Sequence, residues 1–111
     1  TLDSGVEQWI LRKSASTVPN IFALHPAYPN PFNPITSFRY DLPEQAQVTL
    51  TIYDLMGRKV THLVNTEQEA GYRSVQWNAT DSFGKPVSAG VYLYQIRAGE
   101  FVQTRKMVLL K

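Results

Sequence analysis

Apolar and polar residues alternate with a period of two along most of the chain. From Ile35 to Asp41 the residues Thr36, Phe38 and Tyr40 alternate with Ser37, Arg39 and Asp41. From Gln47 to Asp54, Val48, Leu50 and Ile52 alternate with Thr49, Thr51 and Tyr53. A two-residue period is the mark of a strand with one buried face. IFALH (Ile21 to His25) precedes these two segments. KVTHLV (Lys59 to Val64), YRSVQWN (Tyr72 to Asn78), VYLYQIRA (Val91 to Ala98) and FVQTRKMVLLK (Phe101 to Lys111) follow them. The punctuation agrees. LPEQA (Leu42 to Ala46) is a Pro-initiated turn, and Ala98-Gly99-Glu100 is a tight hairpin signal. DLMGRK (Asp54 to Lys59) places Gly57 where a positive φ is expected, and DSFGKPVSAG (Asp81 to Gly90) is a longer loop. No helical period competes. Seven short strands at this spacing predict an all-β antiparallel sandwich. Its bulky core is expected from Phe38, Tyr40, Val48, Leu50, Ile52, Trp77, Tyr92, Tyr94 and Ile96.

Two segments break the alternation. YPNPFNP (Tyr28 to Pro34) carries three prolines in seven residues. Each lacks an N–H, fixes its own φ and pushes the residue before it toward extended geometry. The segment therefore reads as a stiff, kinked lead-in that cannot extend a sheet ladder. Asn30 and Asn33 are expected to fold their amides onto the local backbone, and Phe32 to plug one end of the sandwich. At the other end of the sequence, Met107, Val108, Leu109 and Leu110 run consecutively, so both faces of the last strand are expected to be apolar. Two readings follow. A receptor captures this strand by β-augmentation, with Arg105, Lys106 and Lys111 setting register. Alternatively the strand is simply buried, paired with Val91 to Ala98.

Composition narrows the function classes. The 111 residues fit one domain able to bury a core without staples, and there is no cysteine for a disulfide or thiolate site. A net charge of +2 with scattered Lys and Arg is too weak to argue for nucleic acid or an anionic membrane as an electrostatic partner. No apolar run reaches the roughly 20 residues a spanning helix needs. Residues 1–20 stand apart as an upstream tail and linker, with Ser14 to Asn20 the linker proper. An alternative has Trp9 and Ile10 packing on the following domain. The opening TLDSGVEQWI lacks the features of a signal peptide and an initiator Met, so the chain is expected to be cut from a longer protein.

YPNPFNPIT, FRYDLPE, VTLTIYDLMGRKV, AGYRSVQWNATDSFGKPVSAGVYLYQI and the closing TRKMVLLK together resemble a C-terminal sorting domain of the type IX secretion system. The resemblance runs from about Phe22 to Lys111. The Ig-like domain of the flagellar hook-cap protein is similar and shares the GVY-type strand. The resemblance implies an Ig-like sandwich over residues 21–111 that performs no catalysis and needs no cofactor or metal. It implies an address, through which an exported cargo domain in the same polypeptide passes from the periplasm through the outer-membrane translocon to the cell surface or exterior. A sortase-like surface protease removes such domains from many cargoes. By position, the signal residues it implies are Pro29, Asn30 and Pro31, Gly57, Gly90 and Tyr92, and Lys106, Met107, Val108, Leu109, Leu110 and Lys111. The linker here is shorter than the long disordered one that precedes many such domains.

Other constellations are weak. His25 and His62 have no partner at metal-ligand spacing. Asp54 and Asp81 read as turn caps, with a calcium site shared with Asn78 as the alternative. No nucleophile elbow occurs. Asn78-Ala79-Thr80 matches a glycosylation sequon by chance. Tyr28, Phe32, Tyr72, Trp77, Phe83 and Tyr92 are the candidates for a sugar platform. The competing functions are accordingly a carbohydrate-binding or cell-attachment module of a secreted hydrolase, and a structural Ig-like module.

Overall fold

The computed structural model describes residues 18–110, so Lys111 and the tail up to Thr17, including Trp9 and Ile10, lie outside the described residues. Seven strands follow in order: β1 (Ala23–Leu24), β2 (Thr36–Leu42), β3 (Ala46–Asp54), β4 (Lys59–Gln68), β5 (Gly71–Trp77), β6 (Gly90–Ala98) and β7 (Phe101–Leu109). They form two antiparallel sheets, β1-β2-β5 and β4-β3-β6-β7. Hairpins join β3 to β4 and β6 to β7 within the second sheet. The chain crosses between sheets at the Pro43 turn, at Glu69-Ala70 and in the loop from Asn78 to Ala89.

The alternation in sequence becomes the core directly. Phe38, Tyr40 and Leu42 of β2 face Val48, Leu50 and Ile52 of β3 and Tyr94 and Ile96 of β6, all buried. The rings of Phe38 and Tyr94 meet across the sheets at 4.7 Å between centroids. Tyr40 and Tyr94 enter the core with their hydroxyls satisfied. Tyr40 donates to Gln68 Oε1 at 2.5 Å, while Tyr94 accepts from the Ala27 amide at 2.8 Å. Burial of both rings holds their phenol pKa values above the ordinary value.

Two strands depart from the sequence reading. β4 runs on to Gln68, four residues beyond the apolar stretch that signals it, because Thr66, Glu67 and Gln68 still ladder with Val48, Gln47 and Ala46. Two register shifts beside Leu50/Thr51 and Ile52/Tyr53 interrupt its alternation, leaving Leu63 and Val60 as the extra residues. Val60, Leu63 and Val64 are thereby only partly buried against the core. β1 is shorter than Ile21 to His25, since only Ala23 and Leu24 pair with Asp41 and Tyr40.

Candidate functional site

Strand register brings one set of strand ends together. Thr36 pairs with Trp77, Asp54 with Tyr92, and Gly90 with Leu109. The start of β2 and the ends of β3, β5 and β7 therefore share one pole of the sandwich. Three aromatic rings close it. Phe32 lies 5.9 Å from Trp77, and Trp77 lies 5.5 Å from Tyr92 in an edge-to-face arrangement. Their polar handles are held by the loop after β5: Trp77 Nε1 donates to the Thr80 carbonyl at 2.8 Å and the Tyr92 hydroxyl to the Ser88 carbonyl at 2.6 Å. Burial first, and the negative charge of Asp54 second, raise the pKa of Tyr92. Phe32 is only 1% exposed, so it is the plug that the sequence suggests.

The proline segment changes sheets here. The Tyr28-Pro29, Asn30-Pro31 and Asn33-Pro34 bonds are cis. Tyr28 pairs antiparallel with Ser37, exchanging backbone hydrogen bonds at 3.1 and 3.0 Å, and Thr36 Oγ1 donates to the Pro29 carbonyl at 2.7 Å. Three residues after Pro29 the chain lies on the other sheet. Phe32 bridges Leu109 in parallel: its N–H donates to the Val108 carbonyl at 2.9 Å, and its carbonyl accepts from the Leu110 N–H at 2.8 Å. The Asn30 side chain extends the same ladder. Its Oδ1 accepts from the Val108 N–H at 2.9 Å and its Nδ2 donates to the Lys106 carbonyl at 3.4 Å. This corrects two expectations. The segment does extend a sheet, because Phe32 keeps both the N–H and the carbonyl that a parallel bridge needs while the flanking prolines need neither. Asn30 reaches across to the last strand instead of folding back on its own backbone.

The cover extends along β7, the edge strand of its sheet. Phe22 stacks on Phe101 at 5.5 Å, and the Leu24 carbonyl accepts from Arg105 Nε at 2.8 Å. Asn30 then meets Lys106 and Val108, and Phe32 meets Val108 and Leu110. Residues 22–32 thus follow β7 from its start to its end in the same direction. Arg105, expected to set register for a receptor, is committed to this internal contact. A third correction concerns the last strand itself. Met107 and Leu109 are buried in the core, while Val108 is half-buried and Leu110 is 51% exposed. Alternation is kept, and the apolar residues off the core face the proline segment and solvent.

The residues singled out from sequence separate accordingly. Asn30, Tyr92, Met107, Val108 and Leu109 are joined at the pole. Pro29, Pro31, Lys106 and Leu110 form its exposed skin, and Lys111 lies outside the described residues. Gly90 opens β6 opposite Leu109. Gly57 sits at φ 84° in the β3–β4 turn, beside the pole rather than in it. Asp54 accepts the amides of Met56 and Arg58 at 2.9 Å each, and Asp81 those of Phe83 and Lys85 at 2.9 and 3.0 Å. The Arg58 amide foremost, then the Arg58 guanidinium and the Met56 amide, hold the Asp54 carboxyl below its ordinary pKa. His25 meets Asp41 at 3.0 Å and His62 meets Thr51 at 2.9 Å. Among the described residues, no group of three or more His, Cys, Asp or Glu is placed to hold a metal ion, and no helix is long and apolar enough to cross a membrane. Of the platform candidates, Phe32, Trp77 and Tyr92 are buried. Tyr28, Tyr72 and Phe83 are exposed but dispersed: Tyr72 pairs with Asp41, far from the pole.

Sequence reasoning missed Phe22, Leu24 and Arg105 as parts of this assembly. Their contacts join positions about eighty residues apart, and no local pattern encodes such a pairing.

The FlgD Ig-like domain family matches residues 34–100, more than half of the chain. Comparison with curated protein sequences finds no match. Among solved structures, dimeric latent PorU from Porphyromonas gingivalis is similar with a TM-score of 0.64 and 21% identity, covering 84% of this chain and 10% of that one. PorZ, described as an essential bacterial surface component of the type-IX secretion system of the same organism, gives a TM-score of 0.54 and 22% identity, covering 81% of this chain and 11% of that one. At these identities the likeness is one of fold, and the chain spans about a tenth of the length of each protein.

Proposed function

The chain belongs to the FlgD Ig-like domain family, and from that premise we propose that it is a non-catalytic sorting and anchoring domain, a rigid label that directs an exported cargo through the type IX outer-membrane translocon. The observation that carries this reading is the composite pole. The proline segment and the last strand, the two motifs with least business in an ordinary sandwich, are bound to each other by Asn30 and Phe32 at the end of the chain. Four hydrogen bonds make them one surface, so a receptor reading the tail reads the proline segment too. The fold likeness to PorU and PorZ supports the reading, as does the type IX association in the printed description of PorZ. The partners are then the translocon, a surface sortase-like protease and a cargo domain in the same polypeptide. The destination is the cell surface or exterior by way of the periplasm.

The family match also favours a second reading, a structural Ig-like module within an assembly. One experiment separates them. The chain is fused behind a reporter carrying a periplasmic signal peptide and expressed in Gram-negative hosts with and without the translocon. The sorting reading expects reporter at the surface or in the medium only where the translocon is present. Reporter confined to the periplasm of both hosts would leave the structural reading in place.

A further inference from the structure

The turn between β3 and β4 and the loop after β5 contain the same device twice. Asp54-Leu55-Met56-Gly57-Arg58 and Asp81-Ser82-Phe83-Gly84-Lys85 share one spacing: aspartate, an apolar third residue, glycine, a cation. The hydrogen bonds match as well. In each, the first aspartate's Oδ1 accepts the amides of the third and fifth residues. Its backbone N–H donates to the fifth carbonyl, at 3.0 and 2.9 Å, and its carbonyl accepts the glycine amide at 3.0 Å in both. The glycines stand at φ 84° and 81°. The second loop is docked on the start of β4 beside the first, since the Ser82 amide and Oγ both donate to the Val60 carbonyl at 3.2 and 3.1 Å, and the two loops line one shallow pocket.

This device needs no particular side chain at its third position. Met56 is nevertheless 79% exposed and Phe83 88% exposed, with Leu55 beside them at 63%. Three large apolar side chains at the tip of two adjoining rigid turns are surface the fold does not explain. The exposed charges around them are cationic. Both aspartates are turned inward onto loop amides, and Asp54 also pairs with Arg58 Nε at 3.0 Å. Lys59 and Lys85 are exposed at the same tip. What faces outward is therefore apolar in the middle and cationic at the side. A bilayer of anionic lipids presents the complement, an acyl layer under a layer of phosphates.

We propose that this twin-loop tip is a peripheral contact site for an anionic lipid surface. Leu55, Met56 and Phe83 enter the boundary between headgroups and acyl chains, and Lys59 and Lys85 meet lipid phosphates. The four hydrogen bonds within each loop fix the tips before contact, so little conformational freedom is lost on docking. The site is independent of the sorting reading, because its residues are neither the proline segment nor the last strand.

Co-sedimentation of the whole chain with vesicles tests it. Vesicles of phosphatidylcholine alone are compared with vesicles carrying about 30% phosphatidylglycerol, at low and high salt. The expected result is retention on the anionic vesicles that falls as salt rises. Met56→Ser with Phe83→Ser should weaken it roughly tenfold or more, with the thermal midpoint unchanged. Lys59→Glu with Lys85→Glu should remove the preference for phosphatidylglycerol. No retention on anionic vesicles by the parent chain, or equal retention by the Met56→Ser, Phe83→Ser variant, overturns the proposal. The first result would leave an acidic, apolar protein surface as the partner the tip fits.

Discussion

Asn30 occupies a place that no rule of local structure reserves for it. Its amide satisfies one donor and one acceptor on the outer edge of the last strand, where the neighbouring prolines have no N–H to offer. The side chain thus does the work of a missing backbone unit. Asn30→Ala should cost about 1 kcal/mol of stability and raise the hydrogen-exchange rate of the Val108 amide well before that of core amides in β3 and β6. An unchanged Val108 rate would mean the bond is not made in solution. Asp54 gives a prediction in pH. Its carboxylate is favoured in the fold by the Arg58 and Met56 amides and the Arg58 guanidinium, so its folded pKa is depressed. The unfolded chain takes up that proton first, and the contribution is complete above the ordinary value of about 4 and fades as pH falls below it. Asp54→Asn should therefore lower the thermal midpoint at neutral pH and flatten its fall toward acid, with the most acidic end least affected. Single residues of this sort were legible unevenly. The aspartate caps and the positive φ of Gly57 follow from local chemistry and were read from it. The cross-chain partner of Asn30 was not, because an asparagine before proline fits a local turn equally well.

At the level of elements, alternation located six of the seven strands to within a residue or two at most ends. Two misreadings have separate causes. β4 carries two bulges and a polar end, so its pairing outlasts its apolar signal. The last strand looked two-faced only because proline-segment atoms cover its outer side, a fact invisible in the run Met107 to Leu110. Edge strands need such cover, and here the eleven residues 22–32, irregular apart from β1, supply it in parallel orientation where a full strand would have needed the donors that proline lacks. Removal of the tail should be read with that packing in mind. Deleting residues 107–111 takes Met107 and Leu109 out of the core, each a loss of about 2–5 kcal/mol, and should unfold the domain. Deleting only Leu110 and Lys111 should keep the near-native circular dichroism and thermal midpoint within a few degrees. A stable fold after the longer deletion would show that β7 contributes little to the core.

For the molecule as a whole, the account places recognition at one pole and leaves the far end, with the hairpin at Gly99 and Glu100, as plain scaffold. The sandwich architecture was readable from spacing and alternation. The convergence of residues 28–34 with residues 106–110 was not, because register between distant strands decides it and a single sequence records no such register. The most direct test is the share of a periplasmic reporter that reaches the cell surface in a host with the type IX translocon. Three fusions are compared: the parent chain, a pole variant with Asn30→Ala and Leu110→Asp, and a far-end variant with Glu100→Lys. The account predicts surface delivery of the parent and the far-end variant, with the folded pole variant held in the periplasm. Equal delivery of all three, or a parent that never leaves the periplasm, would contradict it.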